Sequence, residues 1–310
     1  MAGGLTLSSL ATPERLQKLR RGLVPALAVL TFFLFLLLTF PYETVGRRIE
    51  AEVQRAGADL TIGSIGGDGL FGVRARDVRW RPSSPGPEPA PELRFERVDV
   101  RPDLFALILR RTSFGFRLQG YGATARGHAS MSSDPKLPGL ESLRLDSSDV
   151  DLHALPLKEL AGIDANGRAT LQIDISSLQP PETAGGTLSV AGRQVAVTGG
   201  TVNGFPVPRT TLGDLTAGLT IDKGVARIDR AQARGGDVDV EADGTVRLRA
   251  LLSLSQADLH VRLRPADRWL NDNGVIKGAL GLVQNAKQPD GSYVFSFSGP
   301  LSRLTSRPGR

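Results

Sequence analysis

The chain has 310 residues, no cysteine, and 38 lysines and arginines against 32 aspartates and glutamates, for a formal charge of +6. Without cysteine there is no disulfide framework, no thiolate metal site and no thiol nucleophile. The basic surplus does not mark a nucleic-acid reader, because beyond residue 42 bases alternate with acids, as in Arg74-Ala75-Arg76-Asp77-Val78-Arg79 and Asp222-Lys223. That pattern is a solvated strand face, and no nucleic-acid partner is expected.

First in chain order comes an apolar run. Leu23, Leu27, Leu30, Phe32, Phe33, Leu34, Phe35, Leu36, Leu37, Leu38 and Phe40 lie in a stretch with no charge between Gly22 and Tyr42. At about 1.5 Å per residue it spans the roughly 30 Å of a bilayer core. Arg15, Lys18, Arg20 and Arg21 crowd its N-terminal flank. The positive-inside bias then keeps residues 1–21 in the cytoplasm as a basic stub and sends the chain after the 22–42 anchor outward. A cleavable signal peptide is the alternative, with an apolar region of about 7–15 residues and a small-residue cut site. This run is longer and leads into Pro41-Tyr42-Glu43, which favours an uncleaved anchor.

Val45, Ile49 and Val53 recur every fourth residue and predict a juxtamembrane helix within 43–58, with Gly57 as its stop. From Asp59 the apolar period becomes two. Phe71 and Val73 open a strand that runs to Trp80. Leu93, Phe95, Val98 and Val100 make the next, with a break at Glu96-Arg97 that reads as a bulge. Asp103 predicts the cap of a short helix, with Arg110 and Arg111 near its C-terminal end. It is too short to span a bilayer and is expected to pack over the end of a sheet.

In the second half, Asp222-Lys223-Gly224, Gly235-Gly236-Asp237 and Asp243-Gly244 read as turns between strands. Alternation there gives a candidate apolar face of Leu219, Ile221, Val238, Val240, Val246 and Leu248. The β-rich body is expected over 59–301, followed by a flexible tail at 302–310. Two greasy faces packed as a sandwich, or one long curved sheet that leaves an apolar trough, both fit this periodicity.

Catalytic chemistry finds no footing. His128, His153 and His260 are far apart and lack a metal-ligand spacing, so they read as solvent-facing. Asp146, Asp149 and Asp151 read as a turn without the ligand frame of a calcium loop. Gly63 to Gly72 has glycines but no Gly-Lys-Ser/Thr, so it reads as a loose hairpin turn. No nucleophile elbow is present. The chain is expected to be no enzyme and to need no metal or cofactor.

A basic stub, one anchor, Phe40-Pro41-Tyr42, Arg47-Arg48-Ile49-Glu50 and a Gly-rich strand entry resemble the membrane-anchored type II secretion system N proteins of the delta-proteobacterial type. Leu155-Pro156-Leu157 and Asn166-Gly167-Arg168-Ala169-Thr170-Leu171 fit the same likeness. Gly235-Gly236-Asp237-Val238-Asp239-Val240 and Asp290-Gly291-Ser292-Tyr293-Val294-Phe295 are similar to AsmA-like periplasmic proteins. The resemblance implies a mainly β fold: a transmembrane helix, then an elongated, curved antiparallel sheet with a few short helices. It also implies a single-pass inner-membrane protein with a periplasmic body, an accessory that scaffolds other type II secretion components. The AsmA-like likeness implies the alternative, in which the apolar trough holds lipid acyl chains.

Overall fold

The computed structural model describes residues 41–55, 58–69, 71–81, 91–132, 139–178, 180–202, 205–249 and 254–309. The predicted anchor (Leu23 to Phe40) and its basic flank (Arg15, Lys18, Arg20 and Arg21) lie outside these residues. Among the described residues no helix is long and apolar enough to cross a membrane.

Helix α1 (Tyr42–Arg55) runs antiparallel to strand β1 (Asp59–Asp68) and covers that strand's outer edge. Ile49, in the middle of the predicted apolar stripe, stays 42% exposed. Positions 42, 46 and 50 face β1 instead. Gly46 lies against Ile65, and the Glu50 carboxylate accepts the Ile62 amide at 2.7 Å. The Tyr42 hydroxyl lies over Gly67, where an added β-carbon would be 2.7 Å from its oxygen, so a larger residue there would have to displace the Tyr42 ring. Helix α1 thereby satisfies an edge amide that would otherwise invite another strand.

The sheet then grows strand by strand. After β1 come β2 (Gly72–Arg81), β3 (Leu93–Pro102), β4 (Thr112–Gly120), β5 (Ala123–Met131), β6 (Leu140–Asp151), β7 (Ile163–Ser176) and β8 (Gly185–Val202). The short β9 (Phe205–Pro206) pairs only with β8. The meander continues through β10 (Thr210–Asp222), β11 (Val225–Arg234), β12 (Val238–Arg247), β13 (Gln256–Pro265), β14 (Tyr293–Pro300) and β15 (Thr305–Pro308). Every pairing is antiparallel, and spatial order follows chain order throughout. Fourteen strands at about 4.8 Å spacing make a sheet roughly 60 Å wide.

Short helices decorate its two ends. One end carries the β1–β2 turn, α2 (Leu104–Ile108), the 3-10 turn Pro181–Thr183 and the β10–β11 turn. The opposite end carries α3 (Leu157–Ala161), α4 (Asp267–Asp272) and α5 (Gly274–Leu282). The extensive strand contacts run between neighbours, and β10 also touches β12. The fold is thus mainly β, one long antiparallel sheet rather than two layers packed as a sandwich.

Several local expectations are corrected. The glycines at 63, 66 and 67 belong to β1, and turn residues are found only beyond it, at 69 and 71. No register slip occurs at Glu96-Arg97. At the same level of β2, between the pairs Arg76–Arg97 and Val78–Phe95, Asp77 adopts φ 53°. Asp146 and Asp149 lie inside β6, with Asp149 at φ 56° and a register slip between Ser147 and Val150. Asp243-Gly244 is no turn either, for it lies in mid-β12, where Gly244 adopts φ 141° beside the Asp258 carbonyl. The tail expected at 302–310 contributes β15 to the sheet. By contrast, Lys223-Gly224 and Gly235 adopt the positive φ values that their predicted turns require.

Candidate functional site

Register places alternating residues of every strand on one common face. A single row crosses the sheet: Ile65, Ala75, Val98, Leu118, Ala125, Ser147, Leu171, Val190, Ala217, Ala231, Ala242, Val261 and Phe295, each directly opposite the next. Only Ser147 is polar. A second row runs from Val73 through Val100, Phe116, Gly127, Leu145, Ile173, Leu188, Leu219, Ile228, Gly244 and Leu259 to Phe297. The alternation recognised piecemeal in the sequence is one continuous apolar surface.

The six predicted face residues divide into two groups on it. Ile221, Leu219, Val246 and Leu248 gather round Ala226 and Ala184 in the one cluster of buried apolar residues among the described residues. Ala184 follows the 3-10 turn, so this cluster forms where the end of the sheet is covered. Val238 and Val240 lie near the other end of β12, Val240 opposite Ala233 and Leu263. Between the two ends the face is only half-buried, at Leu171, Val190, Ala217, Leu219 and Val240 among others. Among the described residues, the largest fully buried side chains are Ser255 and Ser292. A sheet that seals off no large apolar side chain completely, among the described residues, leaves much of its greasy side available to something else.

The other face is ionic. Arg74, Asp99, Arg117, Arg126, Asp146, Gln172 and Ser189 occupy successive strands, each opposite the next. Near α1, Asp68 and Asp99 are buried and shared among arginines. Asp99 accepts from Arg74 at 2.7 Å and Arg97 at 3.0 Å, while Asp68 accepts from Arg101 at 2.7 Å and also pairs with Arg74. Burial pushes the Asp99 carboxyl up, but its hydrogen bonds from Arg74 and Arg97 outweigh that and hold it below the usual carboxylate range.

A hollow of about 580 Å³ lies beneath α2 on this face, where Ser113, His128, Ser130, Glu141 and Ser142 of the strands meet Phe105 and Leu109 of the helix end. The Ser130 and Ser142 hydroxyls bond each other at 2.6 Å. His128, His153 and His260 are all exposed, as expected. Among the described residues no cluster of three or more metal-ligating side chains occurs, and no buried polar side-chain atom lacks a partner.

The aromatic residues differ in environment: Trp80 is 38% exposed, whereas Tyr293 is buried. Trp269 donates from Nε1 to the Arg209 carbonyl at 3.1 Å and ties α4 to the chain ahead of β10. The Tyr121 hydroxyl accepts the Arg94 amide at 2.7 Å, and its ring meets Phe95 edge-on. The expectation for α2 also changes. Asp103 caps it as predicted, accepting the Phe105 and Ala106 amides, but the helix buries none of its residues.

Compared with known proteins, the chain matches no family model, no curated protein and no solved structure.

Proposed function

We propose that the protein is a non-enzymatic, membrane-anchored envelope component. In this reading residues 22–42 hold it in the inner membrane and the sheet lies in the periplasm. It serves there as an accessory of a type II secretion system of the kind its sequence resembles. The sheet is its working part, and partners dock on the apolar face. One observation carries this: among the described residues fourteen strands follow one another in a single sheet, and they include no second sheet to lie over the row from Ile65 to Phe295. Docking through sheet edges is less favoured, since α1 covers β1 and β15 is four residues long with Pro308 near its end.

The same observation supports a second reading, in which lipid acyl chains occupy that face as in AsmA-like proteins. A photocrosslinking residue at Val240 in the full-length chain, expressed in its own cell, separates the two. An adduct with a secretion component supports the scaffold, and loss of secreted hydrolases on deletion accompanies it. A phospholipid adduct with intact secretion supports lipid handling. Crosslinks only to the protein's own strands mean a closed face and overturn both.

A further inference from the structure

We propose that α2 is a membrane foot that seats in the interface of the bilayer from which the chain emerges ahead of Tyr42. The helix is apolar all round. Phe105 is 81%, Ile108 77% and Leu109 70% exposed, where a surface connection of a water-soluble domain is ordinarily polar. Its shape is fixed rather than adaptable. Asp103 caps one end, and the Arg110 and Arg111 amides close the other on the Leu107 and Ala106 carbonyls at 2.9 and 2.8 Å. Arg110 and Arg111, both exposed, follow directly and suit the anionic headgroups that flank a hydrocarbon surface.

Position selects the bilayer as occupant. Helix α1 runs antiparallel to β1, so Tyr42 lies abreast of Gly67 at the end of the sheet that also carries α2. Two to three strand spacings, roughly 10–15 Å, separate that point from the β3–β4 connection. The chain ahead of Tyr42 therefore leaves from the α2 end. Helix α5 is as exposed, with Val275 at 82% and Leu282 at 88%, but it belongs to the far end and has no paired arginines. An anchor and a foot at one end would set the strands upright on the membrane.

The inference rests on the anchor assigned above, and its test separates the two. Because the chain has no cysteine, Ile108→Cys and Val275→Cys each give a single site for a nitroxide label. Full-length protein is reconstituted in phosphatidylethanolamine–phosphatidylglycerol vesicles. Collisions with a water-soluble nickel chelate should be about tenfold rarer at 108 than at 275, with oxygen collisions favoured at 108. Equal nickel access at both sites overturns the foot. Spin–spin broadening at 108 means that α2 packs on a second copy, which also overturns it. Carbonate extraction reports on the anchor alone. Protein that resists carbonate with a wet label at 108 keeps the anchor and loses the foot, while extractable protein with an immersed label does the reverse.

Discussion

The two faces of the sheet are held together by different forces. On the ionic face, Arg74, Asp99 and Arg97 make directional pairs between adjoining strands. On the apolar face, Val190 lies directly opposite Leu171 and Ala217, and among the described residues no second sheet covers them. Both sets of interactions stay within the plane of one sheet. Stability then becomes a sum of strand-to-strand terms, as in a solenoid, rather than the property of a shared core. A chain built this way keeps a large greasy surface without unfolding for it.

The largest predicted effect contrasts adjacent residues on opposite faces. Val190→Asp puts a carboxylate into the apolar row and should cost about 2–3 kcal/mol. Ser189→Asp, one residue away on the ionic face, should stay within about 0.5 kcal/mol. Urea unfolding of the two variants checks this, and equal losses would mean that the faces are not distinct environments.

A somewhat smaller effect tests whether stability is local. Gly127 lies opposite Phe116 on the apolar face, and a β-carbon there would stand 2.3 Å from Cζ of that ring and 2.5 Å from the Arg144 carbonyl oxygen. Gly127→Val should therefore cost about 1–3 kcal/mol through overpacking. In a sheet without a common core the damage should stay near β5. Hydrogen exchange should show lost protection in β4 to β6 and none in β12 to β14. Uniform loss across all strands would instead reveal long-range cooperativity.

Much of this contrast was legible in the sequence, because period-two alternation is set by which way each side chain must point. Leu188, Val190, Leu219 and Ile221 announce their face with no help from tertiary structure. The choice between sandwich and single sheet was not legible, since alternation records that a face is apolar and not what covers it. Glycine misled for a related reason. Gly224 and Gly244 both follow a polar residue, yet one turns the chain and the other accommodates the neighbouring Asp258 carbonyl within a strand. Only the register of the partner strand tells these apart. The α1 contact was hidden similarly: Gly46 and Gly67 mark close approach, and a hydrophobic period cannot register a residue with no side chain.

The smallest effect sharpens the ionic side of the comparison. The Asp99 carboxyl is held below its ordinary value in the folded chain, so the unfolded chain takes up protons first as pH falls below about 4. Its contribution is complete above the unfolded value and is lost as pH falls through the lower folded one. Asp99→Asn removes the titrating group and leaves Arg74 and Arg97 without a charged acceptor. The variant should be weaker at neutral pH, and the gap to the parent should narrow as both are acidified. Urea midpoints between pH 6 and pH 2.5 measure that gap. If it stays constant, the arginines do not depend on Asp99 ionisation, and the ionic face coheres by backbone pairing alone. Val190→Asp would then remain the only evidence that the two faces stabilise the sheet differently.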